Sequence, residues 1–324
     1  MKVLTIGTSL ITERFISALK QVEGTELIAI YSRTKETGQA FADKVGGPTV
    51  YTDLQEALKS DSFDTVYVAS PNTFHYQHAK QALLAGKHVL CEKPFTSTKA
   101  QLLELIEIAC DKELMLMEAI TTLFLPNFKL IQEKVMEIGD IKLINANFSQ
   151  LSSRYGLYKK GQVTNIFNPE FDGGALRDIN VYNIHFTTYL FGRPHQVIYY
   201  PNKGFNGVDT SGVLILDYEQ FKAVLIAAKD SSSESFGLIQ GDQQTIKVHG
   251  SSLGRSAKVS MLGAITDLAQ EGQQLISTDQ DDHMTYEIKA FRDLIKNADF
   301  ELRDHYLEHS LLVLDVLEMA ETNE

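Results

Sequence analysis

Short β-rich runs alternate with helical segments through the first 120 residues, and this alternation restricts the fold more strongly than any other feature. Apolar runs typical of buried strands lie at residues 2–7, 26–32, 64–70 and 88–93, and segments with apolar residues at helical spacing separate them. Parallel strands need a crossover between them, usually a helix. The pattern therefore predicts βαβ units and a doubly wound α/β domain with a parallel sheet covered on both faces.

The pattern changes after about residue 120, where strand-like runs follow one another. They lie at 142–150, 212–218, 222–229, 235–241 and 244–250, with helical patterns at about 176–190, 284–297 and 304–321. Sequential alternating strands predict a largely antiparallel sheet with one covered face, and Glu219-Gln220 is predicted to turn a hairpin. We therefore predict a dinucleotide-binding domain over 1–120 and an α+β domain with a large, open-faced sheet over 121–324.

Charge and composition exclude several classes of function. The formal net charge is −12 and the 30 basic residues form no dense run, which argues against nucleic-acid binding. No apolar run approaches the 18 or so residues of a membrane span, and the N-terminus lacks a signal-peptide pattern. Cys91 and Cys110 have no pairing context and are predicted to be free, buried thiols. We expect a cytoplasmic protein.

The segment "IGTSLIT" (6–12) follows the first strand, where dinucleotide-binding proteins carry Gly-x-Gly-x-x-Gly. Only Gly7 is present, because Ser9 and Thr12 occupy the other two glycine positions. Considered alone, the segment fits an ordinary strand-to-helix turn as well as a modified phosphate loop. In the second case the cofactor contacts come from Gly7, Thr8, Ser9, Leu10 and Ile11.

The segment "YSRT" (31–34) follows the second strand, where an acidic residue accepts the ribose 2′-hydroxyl of NAD. Here the positions hold Ser32 and Arg33. A guanidinium and hydroxyl groups suit a 2′-phosphate, so NADP(H) is favoured and NAD(H) remains possible. The alternative is that Arg33 merely begins a solvated helix.

Three longer motifs occur in order along the chain. They are "SPNTFHYQHAKQALLAGKHVLCEKPF" (70–95), "MEAITTLFLPNF" (117–128) and "GGALRDINVYNIHF" (173–186). On these motifs the chain resembles the Gfo/Idh/MocA family of oxidoreductases over essentially its whole length. The resemblance implies a Rossmann domain, a nicotinamide cofactor and a sugar, polyol or related small-molecule substrate. It also implies a homodimer or homotetramer formed through the C-terminal sheet.

The resemblance assigns catalytic residues in the first and third motifs. Glu92 and Lys93 begin the active-site tripeptide and are expected to contact the cofactor. Lys93 also places a cation beside the nicotinamide and the reacting hydroxyl, and the Lys93–Pro94 bond is a candidate cis peptide. In the third motif Tyr182 takes the position of the proton-transferring group, and His185 is the rival base. Asp178 would orient Lys93 or bind substrate hydroxyls. Asp178, Tyr182 and His185 stand at i, i+4 and i+7, so on a helix they are expected to lie along one face and point into one cleft.

The end of the predicted strand at 64–70 supplies further candidate cofactor contacts, namely Ser70, Pro71, Asn72 and His75. Pro71 and Asn72 are expected to border the nicotinamide ribose. His75 and His78 have a spacing that invites a metal site, but no carboxylate or thiol joins them at ligand spacing. We therefore expect two partly exposed helix histidines and no metal.

The chain departs from the family pattern at two positions in the second motif. Thr121 and Leu123 stand where the family commonly has Trp and Arg, which leaves the substrate open. Two functions remain: an NADP(H)-dependent oxidoreductase acting on CH–OH groups, or a non-catalytic sensor that binds the nicotinamide nucleotide with the same fold. Retention of Lys93, Asp178 and Tyr182 favours the enzyme.

Overall fold

The chain folds into two compact units in a computed structural model, which describes residues 1–249, 258–263, 274–275 and 282–322. The first unit comprises Met1–Ile120 and Met284–Leu311, and the second comprises Thr121–His283 and Leu312–Glu324.

The first unit contains a six-stranded parallel sheet in the order β3-β2-β1-β4-β5-β6. Its strands are β1 (Lys2–Ile6), β2 (Glu26–Tyr31), β3 (Thr49–Tyr51), β4 (Thr65–Val68), β5 (His88–Glu92) and β6 (Leu116–Ala119). Every residue of β4 is buried, as expected for a central strand covered on both faces. The prediction of a doubly wound Rossmann domain is confirmed.

Five helices connect these strands: α1 (Leu10–Leu19), α2 (Lys35–Val45), α3 (Leu54–Leu58), α4 (His75–Leu84) and α5 (Lys99–Asp111). Short polar side chains cap three of them, because Thr34, Asp53 and Thr98 each accept a hydrogen bond from a backbone N–H of the first turn. Gly46 ends α2 in a left-handed conformation.

The strand order reverses at β1, which pairs with β2 on one side and β4 on the other. The loops that follow β1 and β4 therefore leave the same edge of the sheet side by side. The backbone N–H of Ala69 donates to the carbonyl of Ile6 at 2.9 Å and extends the pairing to this edge. Open α/β sheets bind ligands at such a reversal.

The second unit contains an eight-stranded sheet in the order β14-β13-β12-β11-β7-β10-β9-β8. Its strands are β7 (Ile141–Ser149), β8 (Gln196–Lys203), β9 (Asp209–Asp217), β10 (Lys222–Ala228), β11 (Phe236–Gly241), β12 (Gln244–His249), β13 (Lys258–Gly263) and β14 (Gln274–Leu275). Only β7 and β10 pair in parallel among these neighbours. The predicted antiparallel character and the hairpin at Glu219-Gln220 are confirmed.

One face of this sheet is buried and the other is open. Along β10, Ala223 and Leu225 are fully buried, whereas Val224 and Ile226 are partly exposed. The helices α6 (Pro126–Lys134), α7 (Tyr155–Tyr158) and α8 (Val181–Phe191) belong to the same unit, and α8 packs against β7 and β10. The open-faced sheet is therefore confirmed.

Two sequence predictions fail in detail. The helix predicted at about 176–190 is present, but its first part, Leu176–Asn180, is a π-helix that continues into α8, so the α-helical spacing expected of Asp178, Tyr182 and His185 does not hold there. Cys91 is buried, but Cys110 is exposed at the end of α5, so only one of the two predicted buried thiols is buried.

Two helices end the chain, α9 (His283–Asn297) and α10 (Phe300–Thr322). Among the described residues, no helix combines the length and the apolar character needed to span a bilayer.

Candidate active site

The retained glycine of the first loop is the one that the backbone requires. Gly7 has φ +121°, and a Cβ at this position would lie 2.5 Å from the carbonyl oxygen of Ala69. The loops after β1 and β4 approach so closely here that no side chain fits. Loss of this glycine would therefore disturb both loops at the reversal point.

The two substituted glycine positions tolerate their side chains. Ser9 is the N-cap of α1 with an extended φ of −88°, its hydroxyl makes no cap bond, and it is exposed. Thr12 is fully buried, and its hydroxyl lies 3.4 Å from that of Ser9. Thr8 and Ile11 are half-buried and Leu10 is 63% exposed. The loop thus leaves the N-terminus of α1 open to an anion.

The polar residues of the loop after β2 differ in their exposure to solvent. Ser32 is buried against the sheet, and its backbone N–H donates to the carbonyl of Tyr51 at 3.0 Å. Arg33 is exposed, and within the described part of the chain its guanidinium has no hydrogen-bond or ion-pair partner. Thr34 follows as the N-cap of α2.

The histidines after β4 bind the loops of the sheet edge, and the prediction of two partly exposed side chains is wrong for His75. His75 is 1% exposed, with Nδ1 2.9 Å from the Pro94 carbonyl oxygen and Nε2 2.8 Å from the Ser70 carbonyl oxygen. Burial lowers its pKa. His78 is half-buried and its Nδ1 lies 2.9 Å from the Ser70 hydroxyl.

Burial also sets the ionisation of His78, whose pKa it lowers to about 4. Pro71 and Asn72 are half-buried at the start of the same turn. His75 is therefore buried between two backbone carbonyl oxygens and does not reach the surface. The half-buried residues Ser70, Pro71 and Asn72 do reach it.

The tripeptide Glu92-Lys93-Pro94 begins at the last residue of β5, and hydrogen bonds from neighbouring residues hold the segment around it. The Tyr67 hydroxyl donates to Glu92 at 2.5 Å, and burial raises the pKa of Glu92. The Lys93–Pro94 bond is cis and Lys93 is half-buried. The buried carboxylate of Glu118 accepts from the backbone N–H of Phe95 at 3.1 Å.

The third motif lies in the second unit and begins with two glycines for a local steric reason. Gly174 has φ +123°, and a Cβ there would overlap a carboxylate oxygen of Asp209. Asp209 accepts from the Tyr199 hydroxyl at 2.6 Å and from the backbone N–H of Leu176 at 2.7 Å. Burial raises the pKa of Asp209 to about 6.

The three candidate side chains of this motif differ in exposure. Asp178 and Tyr182 are half-buried, whereas His185 is fully buried. Because Asp178 lies in the π-helix, the i, i+4, i+7 spacing of an α-helix does not describe the segment. The Tyr182 ring lies 5.7 Å from that of Phe148 on β7.

Sequence reasoning missed Lys229, which contacts Asp178. This lysine directly follows β10, is 2% exposed, and its ammonium forms an ion pair with the Asp178 carboxylate. In the sequence it follows the apolar run "AVLIAA" (223–228), and a lysine at the end of a strand gives no functional signal by itself. No group of three or more histidine, cysteine, aspartate or glutamate side chains suited to a metal is found in the described residues.

Two family models match separate parts of the chain. Residues 1–120 match the family model for the oxidoreductase family with an NAD-binding Rossmann fold, and residues 129–253 match that for the Gfo/Idh/MocA C-terminal domain. The chain is 38% identical to scyllo-inositol 2-dehydrogenase (NADP(+)) IolU of Bacillus subtilis, over 97% of this chain and 94% of that protein. It is 33% identical to the oxidoreductase YgjR of Escherichia coli, over 93% and 89%.

A solved structure shares the fold. KijD10, a 3-ketoreductase from Actinomadura kijaniata in complex with NADP and TDP-benzene, superposes with a TM-score of 0.87 at 23% identity, covering 100% of this chain and 97% of that one. The three motifs, the folds of the two units and the similarity over 97% of the chain all indicate the same family. The chain belongs to the Gfo/Idh/MocA family of oxidoreductases.

Proposed function

We propose that the chain is an NADP(H)-dependent dehydrogenase that transfers hydride to or from a hydroxyl-bearing carbon of a cyclic polyol or sugar. The observation that carries this proposal is the 38% identity over 97% of the chain to an NADP-dependent scyllo-inositol dehydrogenase, with Lys93, Asp178 and Tyr182 in the matched motifs. A sensor without turnover has no need for these three groups together, so the enzyme is preferred.

The residues at the sheet reversal fit a dinucleotide. The backbone N–H groups at the N-terminus of α1 can donate to the pyrophosphate. The Ser9 hydroxyl, which makes no cap hydrogen bond to the helix, is a further donor. The exposed guanidinium of Arg33 suits a 2′-phosphate, which supports NADP(H) over NAD(H). We propose that the cofactor contacts Ser70, Pro71 and Asn72 directly. His75 is proposed to hold their loop in place through its contact with the Ser70 carbonyl.

NADP(H), when bound, supplies or accepts the hydride. We propose that Tyr182 exchanges the proton of the reacting hydroxyl, and that the ammonium of Lys93 stabilises negative charge on the reacting oxygen. Asp178 accepts a hydrogen bond from a substrate hydroxyl. His185 is disfavoured as the base, because its complete burial keeps it from a substrate.

We propose that the open face of the eight-stranded sheet is the interface of a homodimer. Two such dimers would form a homotetramer. Ile198, Ile215 and Val224 form one row across β8, β9 and β10, and all three are partly exposed. Tyr200 beside this row is 59% exposed. Such a row of partly exposed apolar side chains favours association. Light scattering that gives a monomer mass at micromolar concentration contradicts this proposal. The cytoplasmic location remains a prediction.

The test of the activity is NADP⁺ reduction by the purified chain with inositol isomers, xylose and a trans-dihydrodiol. We expect turnover with at least one of them. Lys93→Met and Tyr182→Phe should each severely reduce turnover and leave NADPH binding largely intact. Tyr218→Phe is the matched control, because it removes a hydroxyl that donates to the Gly192 carbonyl at 3.1 Å and lies outside the three motifs. Near wild-type rates in both catalytic variants would overturn the assignment.

A further inference from the structure

Lys229 is a buried cation in the second unit, and its backbone is held firmly. Its N–H donates to the Thr210 carbonyl at 2.8 Å, and its own carbonyl accepts from the N–H of Ser152 at 2.9 Å. Its ammonium lies 5.4 Å from the centre of the Phe167 ring, which is fully buried. A lysine in such surroundings is costly unless its charge is compensated.

The compensating carboxylate belongs to Asp178. The Lys229 side chain is 3% exposed and that of Asp178 is 30% exposed. The ammonium is therefore shielded from solvent, whereas the carboxylate is partly accessible. The ammonium also acts on Asp209, whose pKa it lowers against the larger effect of burial. Asp209 is already bonded to Tyr199 and Leu176, whereas the Lys229 ammonium contacts the Asp178 carboxylate directly.

We infer that Lys229 is a positioning residue that fixes the Asp178 carboxylate as an acceptor for a substrate hydroxyl. This inference rests on the proposed function of Asp178. Removing one partner of a buried ion pair leaves the other uncompensated. Without the ammonium, the Asp178 carboxylate loses the partner that fixes its orientation. Substrate binding should therefore weaken, while cofactor binding in the first unit does not change.

The test compares Lys229→Met, Lys229→Arg, Asp178→Asn and the double variant Lys229→Met/Asp178→Asn. We expect Lys229→Met to raise KM for the substrate by about tenfold or more, with a smaller change in kcat. Lys229→Arg should recover much of the loss, because the charge returns. In the Asp178→Asn background, Lys229→Met should add no further change, since the two residues act as one unit.

Lys87 provides a matched control, because it is also a buried lysine beside an aromatic ring. Its ammonium lies 4.9 Å from the Phe63 ring centre and donates to the carbonyls of Ser60 and Phe63 at 2.8 and 3.0 Å. Lys87→Met should lower the melting temperature and leave KM for the substrate unchanged. If it raises KM as much as Lys229→Met does, the effect at Lys229 reports general destabilisation and the inference fails.

The outcomes separate this inference from the proposed function. A wild-type KM for Asp178→Asn contradicts the substrate role of Asp178. If Asp178→Asn raises KM while Lys229→Met keeps the wild-type KM, the positioning role of Lys229 is wrong and the substrate role of Asp178 stands. The same conclusion follows if the effects of the two substitutions on KM are fully additive. If Lys229→Met does not fold, the double variant, which removes both charges, is compared with Asp178→Asn. A further rise in KM in the double variant contradicts the inference.

Discussion

Replacement of Gly7 by alanine tests how the first loop is built. The backbone at Gly7 has φ +121°, a region that residues with a Cβ rarely adopt, and the new methyl group would lie 2.5 Å from the Ala69 carbonyl oxygen. Backbone strain of this kind costs about 1–3 kcal/mol, and forcing an extra carbon into a packed region costs about 1–3 kcal/mol more. We expect a total loss of about 2–6 kcal/mol.

Gly86→Ala is the matched control for the strain alone. Gly86 has φ +76°, and a Cβ there meets no atom within 4 Å, so only the left-handed backbone is penalised, by about 1–2 kcal/mol. A loss of stability at Gly7 that clearly exceeds the loss at Gly86 is therefore attributed to the close approach of the Gly7 and Ala69 loops together with the less favourable φ of Gly7.

The assay is urea unfolding followed by circular dichroism, together with NADPH titration of the folded variants. Gly7→Ala should unfold at a clearly lower urea concentration than Gly86→Ala. It should also bind NADPH more weakly, because the Ala69 carbonyl must move and Ser70 follows it. Equal unfolding midpoints and equal NADPH affinities in the two variants would refute the steric argument.

Three further predictions concern single side chains. Arg33→Ala should weaken NADPH binding by roughly tenfold or more and leave NADH binding unchanged, as measured by fluorescence titration; equal losses for both cofactors contradict the 2′-phosphate contact. Ser9→Gly should tighten NADPH binding if the serine crowds the pyrophosphate, and unchanged or weaker binding would identify it as a neutral substitute or a phosphate ligand. For Asp209, burial raises the pKa from 3.8 to about 6, so the folded state binds the proton more tightly than the unfolded state. Wild type should lose stability relative to Asp209→Asn as pH rises from about 4 to about 6, with no further loss above it; a constant difference between their melting temperatures contradicts this.

The architecture of both units could be predicted because its signals are local. Buried runs such as β4 and the alternation along β10 report the period and exposure of a strand directly in the sequence. The strand β8 was not predicted, since its Pro201 weakens the strand pattern. The structure places β8 at the sheet edge, where a proline is tolerated.

Candidate site residues could be named from the sequence where a motif contains them, but not where tertiary contacts decide. Lys93 and Tyr182 came from matched motifs, whereas Lys229 depends on a partner 51 residues away in the chain. The burial of His75 was missed for a similar reason: its two carbonyl partners come from separate loops. The π-helix around Asp178 has no sequence signal that separates it from an α-helix.

Transfer of deuterium from substrate to cofactor tests the central claim most directly. Scyllo-inositol, or the substrate that the activity screen identifies, is labelled with deuterium at the carbon that bears the reacting hydroxyl and incubated with NADP⁺ and the purified chain. The proposed function predicts that mass spectrometry finds one deuterium in the reduced cofactor, with faster labelling of NADP⁺ than of NAD⁺. NADPH binding without reduction or labelling of either cofactor, across the whole panel of polyols and sugars, would contradict it.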